Sequence, residues 1–323
     1  MAIRLLNYDN DFDLLEKFVS NLTFRKFSHW IKVTPSGVNQ YLLNSIKILS
    51  LKQTVSINII NNEILGLLGY NILDWDTSHF GFKCVNIDFL LIKLNINEIA
   101  KQHAIKDLLL EYLQTSKKLK VKFTSISVDS WDTTTCTILQ EFKFKFILTW
   151  INGFLLPGIK SIELDAEFIV ELINPNEILL FQNMSADNYF KGGRFYFDSN
   201  FDKSSIKKLY SSTVLSSYQN NDILLVCRIS GKPVGLFICR KIQKYTEFDN
   251  LKVAPLRFLI IDPNYRETKV AKNFFLQTIR YLQKESDLIT TGLEVHNMPS
   301  LNLHQQMGFK FNYTHTVFHL WNY

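Results

Sequence analysis

A chain of 323 residues, 46% hydrophobic and 14% aromatic with 26 phenylalanines, has apolar surface enough for a sizeable core, which excludes a disordered chain and makes two domains the first expectation. The net charge of +6, from 36 basic and 30 acidic residues, suits an anionic small ligand; the lysines and arginines are scattered and no recognition motif accompanies them, so no nucleic-acid partner is expected. Cys84, Cys136, Cys227 and Cys239 show neither C-x-x-C nor Cys/His spacing, so they read as reduced core thiols and no metal is expected.

The opening stretch MAIRLLNYDNDFD reaches Asp9 and Asp11 before an apolar signal region forms, and no apolar run reaches membrane-spanning length. The expectation is a cytoplasmic protein with no membrane partner. A polar helix is predicted over 11–19, then strands over 55–60 and 64–73 joined by an Asn-Asn turn. WDTSHFGF (75–82) follows, then a strand over 85–92, an amphipathic helix over about 96–115 and a strand over 124–128. VDSWDTTTCTILQEFKF (128–144) leads into a strand over 146–151.

In the second half, FKGGRFYFDSNF (190–201) precedes a helix over about 203–218. DILLVCRISGKPVGLFICRKI reads as a hairpin turning at Ser230-Gly231. A strand over 255–261 enters DPNYRETKVAKNFFLQTIRYLQKES, where Ala271, Phe274, Phe275, Thr278, Ile279 and Leu282 form one helical face. A strand over 293–295 runs into VHNMPSLNLHQQMGF (295–309), where Met298-Pro299 starts a short helix, Gly308 ends it, and His304 is left at mid-helix. A strand over 313–321 is expected to close the sheet.

The stretches 128–144 and 295–309 share a pattern: a strand ending in valine, a polar turn, a short helix and a closing Lys-Phe or Gly-Phe. We read them as a degenerate internal repeat. The chain then consists of two copies of one α/β unit, 1–157 and 158–323, joined at the Pro157-Gly158 turn.

The order of elements around Arg266 resembles the GCN5-related N-acetyltransferase (GNAT) superfamily over about 190–323, with the first half a decayed copy. The fold class implied is α/β (α+β), two tandem GNAT-like mixed-sheet domains with the N-terminal one degenerate. The family turn reads Gln or Arg, two residues, Gly, one residue, Gly or Ala. Here it is Arg266, Glu267-Thr268, Lys269, Val270 and Ala271, with lysine in place of the first glycine. The resemblance implies that this turn, at the positive end of a helix, holds the pyrophosphate of coenzyme A. Glycine there lets main chain approach phosphate. Lys269 either obstructs that approach or adds an ammonium contact.

The resemblance implies further that main-chain N–H groups of Leu259, Ile260 and Ile261 pair with pantetheine and polarise the thioester, Ile261 acting as an oxyanion donor. It places Asn297 and Ser300 beside the pantetheine arm, although Asn297 also suits a strand-end turn. His304 stands where the family commonly has a tyrosine. It either protonates the departing thiolate or packs beside the cofactor sulfur.

GGRFYFDSNF, WDTSHFGF and the closing HLW together look like the sugar-nucleotide N-acyltransferases, such as dTDP-fucosamine acetyltransferase, which acylate the amine of a dTDP-linked amino-dideoxyhexose. That likeness implies acetyl-CoA or 3-hydroxybutyryl-CoA as donor, and direct attack in a ternary complex, for surface-polysaccharide synthesis. It assigns Arg194 and Asp198 to the acceptor sugar or its diphosphate, with a loop-fastening pair as the other reading. Trp75, Asp76, His79 and Phe80 are assigned to the nucleotide, with core filling as the other reading. No general base stands out; Glu247, Asp249 and Asp262 flank the strand over 256–261. A homodimer pairing through 313–321 is a further expectation. Two other readings remain: a tandem-domain aminoacyl transferase using aminoacyl-tRNA, and a non-catalytic nucleotide-sugar sensor.

Overall fold

The computed structural model describes residues 2–22, 27, 30–158, 168–188, 191–266 and 268–322; Phe190 and Glu267 of the stretches above lie outside them. The chain divides into two compact units. Unit 1 is Met1–Thr149 with Thr314–Tyr323, and unit 2 is Trp150–Tyr313.

In chain order the elements are β1 (Ala2–Leu5), α1 (Phe12–Ser20), α2 (Pro35–Ser50), β2 (Val55–Ile60), β3 (Glu63–Ile72), α3 (Asp74–Phe80), β4 (Cys84–Ile92), α4 (Glu98–Lys118), β5 (Phe123–Asp129), α5 (Thr133–Glu141) and β6 (Lys145–Leu155). They continue with β7 (Phe168–Leu172), α6 (Ile178–Asn188), α7 (Arg194–Phe197), α8 (Lys203–Gln219), β8 (Ile223–Ile229), β9 (Lys232–Cys239), β10 (Gln243–Tyr245), β11 (Leu251–Ile261), α9 (Lys269–Gln283), β12 (Leu288–Glu294), α10 (Met298–Gln306) and β13 (Lys310–Trp321).

Unit 1 orders its strands β1-β2-β3-β4-β5-β13, and unit 2 orders its strands β7-β8-β9-β11-β12-β6, with β10 on β11. In each unit the strands run antiparallel except for one parallel pair, β4/β5 in unit 1 and β11/β12 in unit 2. The parallel pair needs a crossover, and α4 and α9 supply it. Both units are thus the same mixed sheet.

The repeat is regular in its last third. β5 and β12 start at 123 and 288, α5 and α10 at 133 and 298, β6 and β13 at 145 and 310, a constant difference of 165 residues. This corrects the sequence alignment, which matched Val128 to Val295. The side-chain caps fix the true register: Asp132 accepts from Thr135 N at the start of α5, and Asn297 accepts from Ser300 N at the start of α10. Asp132 and Asn297 are 165 apart, as are Phe144 and Phe309, and no insertion is needed.

The join also differs from the Pro157-Gly158 expectation, because strand pairing rather than a turn sets it. Residues 150–155 of β6 pair with β12 in unit 2, from Trp150↔Glu294 to Leu155↔Ile289. Residues 315–321 of β13 pair with β5 in unit 1, from His315↔Asp129 to Trp321↔Phe123. The strand over 313–321 therefore completes the first sheet.

Each sheet buries both faces. In unit 1, β3, β4, β5 and β13 pack on α4 and α5 through Tyr70, Ile87, Ile126, Leu108 and Phe318, while α1 and α2 cover β2 and β3 through Leu15, Leu42, Ile46 and Ile57. In unit 2, Phe274, Phe275 and Ile279 of α9 and Met307, the residue that ends α10, pack on one face. Phe181 of α6 and Val214 of α8 cover Val226, Leu236, Ile238 and Ile260 on the other. α9 forms because its apolar positions recur at helical spacing behind a Thr268 cap that accepts from Val270 N. Among the described residues no helix is long and apolar enough to cross a membrane.

Candidate functional site

The site of unit 2 begins where two strands part. β11 and β12 pair only at Val253↔Leu288, Ala254↔Ile289 and Pro255↔Thr290. Beyond that point β11 stays with β9 as far as Ile261↔Gly235, while β12 stays with β6 as far as Glu294↔Trp150. Pro255 explains the place of the parting. It brings no N–H to a ladder, and the β11/β9 register shifts two residues later, between Leu256 and Phe258. The predicted strand began at Pro255; the observed one begins at Leu251, with the proline inside it.

Main-chain direction follows from one hydrogen bond. Asp262 N–H donates to Val234 O on β9 at 2.9 Å, so by strand alternation Ile260 also points its N–H at β9, and Leu259 and Ile261 point theirs into the gap. Ile261 O, on that open side, accepts from Arg266 Nε at 3.2 Å. Of the three residues named from sequence, Leu259 and Ile261 thus offer N–H donors to the gap and Ile260 does not.

The turn that follows leads into α9. Thr268 donates its hydroxyl to Tyr265 O at 2.7 Å and caps Val270 N–H at 3.2 Å. Intrahelical bonding leaves the N–H groups of Lys269 and Ala271 without a helical partner, and no acid lies in the first turn. Lys269 is exposed and sits in ordinary helical backbone, so this position needs no left-handed residue. Val270 is buried in the core and Ala271 half-buried, so both act here through main chain. Arg266 is exposed, and its guanidinium also reaches Asn188 O at 3.4 Å, fastening the turn to the end of α6.

His304 is not placed to be an acid, which corrects the imidazolium expectation. It is 4% exposed on α10, with Phe275, Phe309 and Phe311 rings centred 4.6, 4.9 and 6.3 Å from its own. Nδ1–H donates to Ser300 O at 2.8 Å, which fixes the tautomer, and Nε2 then accepts from the Thr291 hydroxyl at 3.0 Å. Burial pushes its pKa down to about 4, so the ring is neutral at pH 7 and both nitrogens are occupied. Ser300 serves the helix turn and His304, and Asn297 caps α10.

Glu294 is the residue that sequence reasoning missed. It is the last residue of β12, beyond the parting, and half-buried. Burial pushes its carboxyl above the ordinary range, opposed by its own N–H, by His296 and by a hydrogen bond from Asn297. A Cβ on Gly193 would stand 2.8 Å from the Tyr210 hydroxyl and 3.8 Å from Glu294 Oε1, so the bare glycine lets the chain pass close to both. His296 Nε2 lies 3.0 Å from Gly192 O, and its ring meets Phe197 at 5.0 Å. The Gly-Gly pair of GGRFYFD is therefore fastened to the end of β12. The 165-residue offset was the signal available, since it aligns Glu294 with Asp129.

Arg194 opens α7 with its guanidinium over the Phe195 ring at 4.5 Å. Asp198 is fully buried and accepts from both Asn200 N–H and Asn200 Nδ2 at 3.1 Å. Its carboxylate holds the loop after α7, which corrects the sugar-contact expectation. Trp75, Asp76, His79 and Phe80 lie on α3 in unit 1, so the expected acceptor set falls in different units. Trp75 is 43% exposed and stacks on His79 at 5.4 Å, while Asp76 is buried. Among the described residues no cluster of His, Cys, Asp and Glu is arranged to hold a metal ion.

Residues 193–309, within unit 2, match the Acetyltransferase (GNAT) family. An uncharacterised N-acetyltransferase of Methanocaldococcus jannaschii is 22% identical over 123 residues, 38% of this chain; the match spans 53%, about half, of that relative's length. A GCN5-related N-acetyltransferase from Sphaerobacter thermophilus shares the fold over 99% of this chain and 95% of its own, with a TM-score of 0.64 and 9% identity. A tandem GNAT protein from the clavulanic acid biosynthesis pathway does so over 99% and 98%, with a TM-score of 0.59 and 11% identity. The fold shared with these structures is a GNAT-like mixed sheet, present twice in this chain.

Proposed function

We propose that unit 2 is an acyl-CoA-dependent N-acyltransferase. The observation that carries this reading is the gap between β11 and β12, with N–H donors of Leu259 and Ile261 on one side and the half-buried Glu294 carboxyl at its end. The chain's own groups fit an acyl-CoA co-substrate. Leu259 and Ile261 would hold the pantetheine amides and the thioester carbonyl, and the start of α9 with Lys269 would hold the pyrophosphate. Acyl-CoA supplies an activated acyl group when bound.

Within that reading Ile261 N–H stabilises the oxyanion that develops as the acceptor amine adds to the carbonyl carbon. Glu294 accepts the proton that the amine nitrogen gives up; as the carbonyl re-forms the C–S bond breaks, and the departing CoA thiolate takes its proton from solvent. A carboxylate with a raised pKa is a stronger base than an ordinary one, which suits this task. His304, neutral and tied at both nitrogens, shapes the wall formed by β12 and α10.

The acceptor we favour is a dTDP-linked amino-dideoxyhexose, and the donor acetyl-CoA or 3-hydroxybutyryl-CoA. The joint order of WDTSHFGF, GGRFYFD and HLW supports this, and Arg194 is the candidate for a phosphate oxygen. The test is thiol release from each donor with dTDP-3-amino and dTDP-4-amino dideoxyhexoses, for the wild type and Glu294→Gln. Acceptor-dependent release, reduced about 10²-fold or more in Glu294→Gln, is expected. Release without effect of Glu294→Gln would remove the base assignment. Silence in every pairing, with no calorimetric binding of CoA, would favour the sensor reading.

A further inference from the structure

Unit 1 repeats the parting. β4 and β5 pair from Cys84↔Phe123 to Ile87↔Ile126 and no further; β4 then follows β3 to Ile92↔Gly66, and β5 follows β13 to Asp129↔His315. Asp129 ends β5 as Glu294 ends β12, 165 residues apart, and Trp131 stands where unit 2 has His296. Both units thus place an acid at the same point of the same fold.

Asp129 is 8% exposed. Its Oδ1 accepts from Trp131 N–H at 2.8 Å, and its Oδ2 is buried without a hydrogen-bond partner among the described residues. A buried carboxylate oxygen is costly unless something pairs with it. Among the described residues the neighbours do not supply a cation. His315, directly across on β13, is neutral at pH 7 because burial pushes its pKa down to about 4. Asp132 adds like charge and is itself held by Lys101 at 2.7 Å and by Thr135. Ser130 is within 3.0 Å of the Thr316 hydroxyl. Burial and the Asp132 charge raise the Asp129 pKa. Two residues on, Trp131, whose main-chain N–H holds Asp129 Oδ1, leaves its side chain 81% exposed, an aromatic group free to face a cation beside that carboxylate.

The same unit is poorly suited to a phosphate. Glu98 is the first residue of α4, and Asn97 already caps Ala100 N–H there at 2.8 Å. An acid at a helix N-terminus repels an anion, in contrast with the Lys269 start of α9.

We propose that unit 1 binds a small organic ammonium at the end of its parted strands, with Asp129 as the counter-charge and the Trp131 ring as the facing surface. This is independent of acyl transfer in unit 2, because none of its residues belongs to that site. The full chain carries five tryptophans, so indole N–H resonances report it directly. With ¹⁵N-labelled protein, the Trp131 signal, assigned through Trp131→Phe, is expected to shift saturably on addition of glucosamine, ethanolamine or methylammonium. N-acetylglucosamine, which lacks the charge, should leave it in place. The shift should vanish in Asp129→Asn and persist in Glu294→Gln, with the other four indole signals reporting that each variant is folded. As a second variant on an exposed position, Trp131→Leu should weaken calorimetric binding of the effective amine roughly threefold. No shift with any of the three amines, a shift of equal size with N-acetylglucosamine, or a shift that survives Asp129→Asn would overturn the proposal.

Discussion

His304 and Glu294 show how burial changes the use of a titratable side chain. Both lie at the β12–α10 corner, and burial opposes charge on each, keeping the histidine neutral and strengthening the glutamate as a base. The histidine has a consequence for stability. Its pKa is about 4 when folded against 6.5 for the free side chain, so between those values the unfolded chain holds a proton that the folded chain lacks. Stability therefore rises with pH through that window and falls as the pH drops from about 6.5 to about 4. His315 acts in the same direction. Urea denaturation at pH 7 and pH 5 should show wild type losing more stability on acidification than His304→Gln does. Equal losses would mean that the ring is not desolvated as its phenylalanine neighbours imply.

At the scale of elements, the turn into α9 separates what sequence shows from what it does not. The apolar face of α9 and the Ser230-Gly231 hairpin were both legible, because helical spacing and two consecutive positive-φ residues are local properties. α2 was not among the expected elements; it starts at Pro35 behind Thr34, whose hydroxyl caps Gly37 N–H. The parting of β11 and β12 depends on which strands each pairs with over a long sequence separation, and the basicity of Glu294 depends on tertiary burial, so neither was written in local pattern. The same limit misassigned Asp198, whose full burial in its own loop no motif exposes. Lys269 stands where the resemblance leads one to expect glycine; it is exposed and in helical backbone, so its ammonium adds positive charge where the α9 N–H groups already lie. Calorimetry with CoA should show binding weakened about threefold by Lys269→Ala and about tenfold by Lys269→Glu, the larger loss coming from reversal of charge. Tighter binding in Lys269→Ala would mean that the side chain obstructs the phosphates.

For the whole molecule, the exchange of closing strands governs how each unit folds. Unit 1 lacks an edge partner for β5 until residues 315–321 pair with it, and those residues bring Phe318 and Leu320 into the core beneath α4 and α5. Unit 2 draws its equivalent strand, 150–155, from the segment immediately after unit 1 and so has its whole sheet within Trp150–Tyr313. During synthesis the second unit therefore has every strand available before the first does, the reverse of the usual N-terminal-first order. A chain ending at Tyr313 should keep slow amide exchange over β9, β11 and β12 and lose it over β4 and β5. In the full chain, Phe318→Ala, at a site 1% exposed, should cost about 3–5 kcal/mol, with the loss of protection confined to unit 1. Equal loss of protection in both units would mean that they unfold as one cooperative body, and the order of completion argued from strand pairing would then have no bearing on stability.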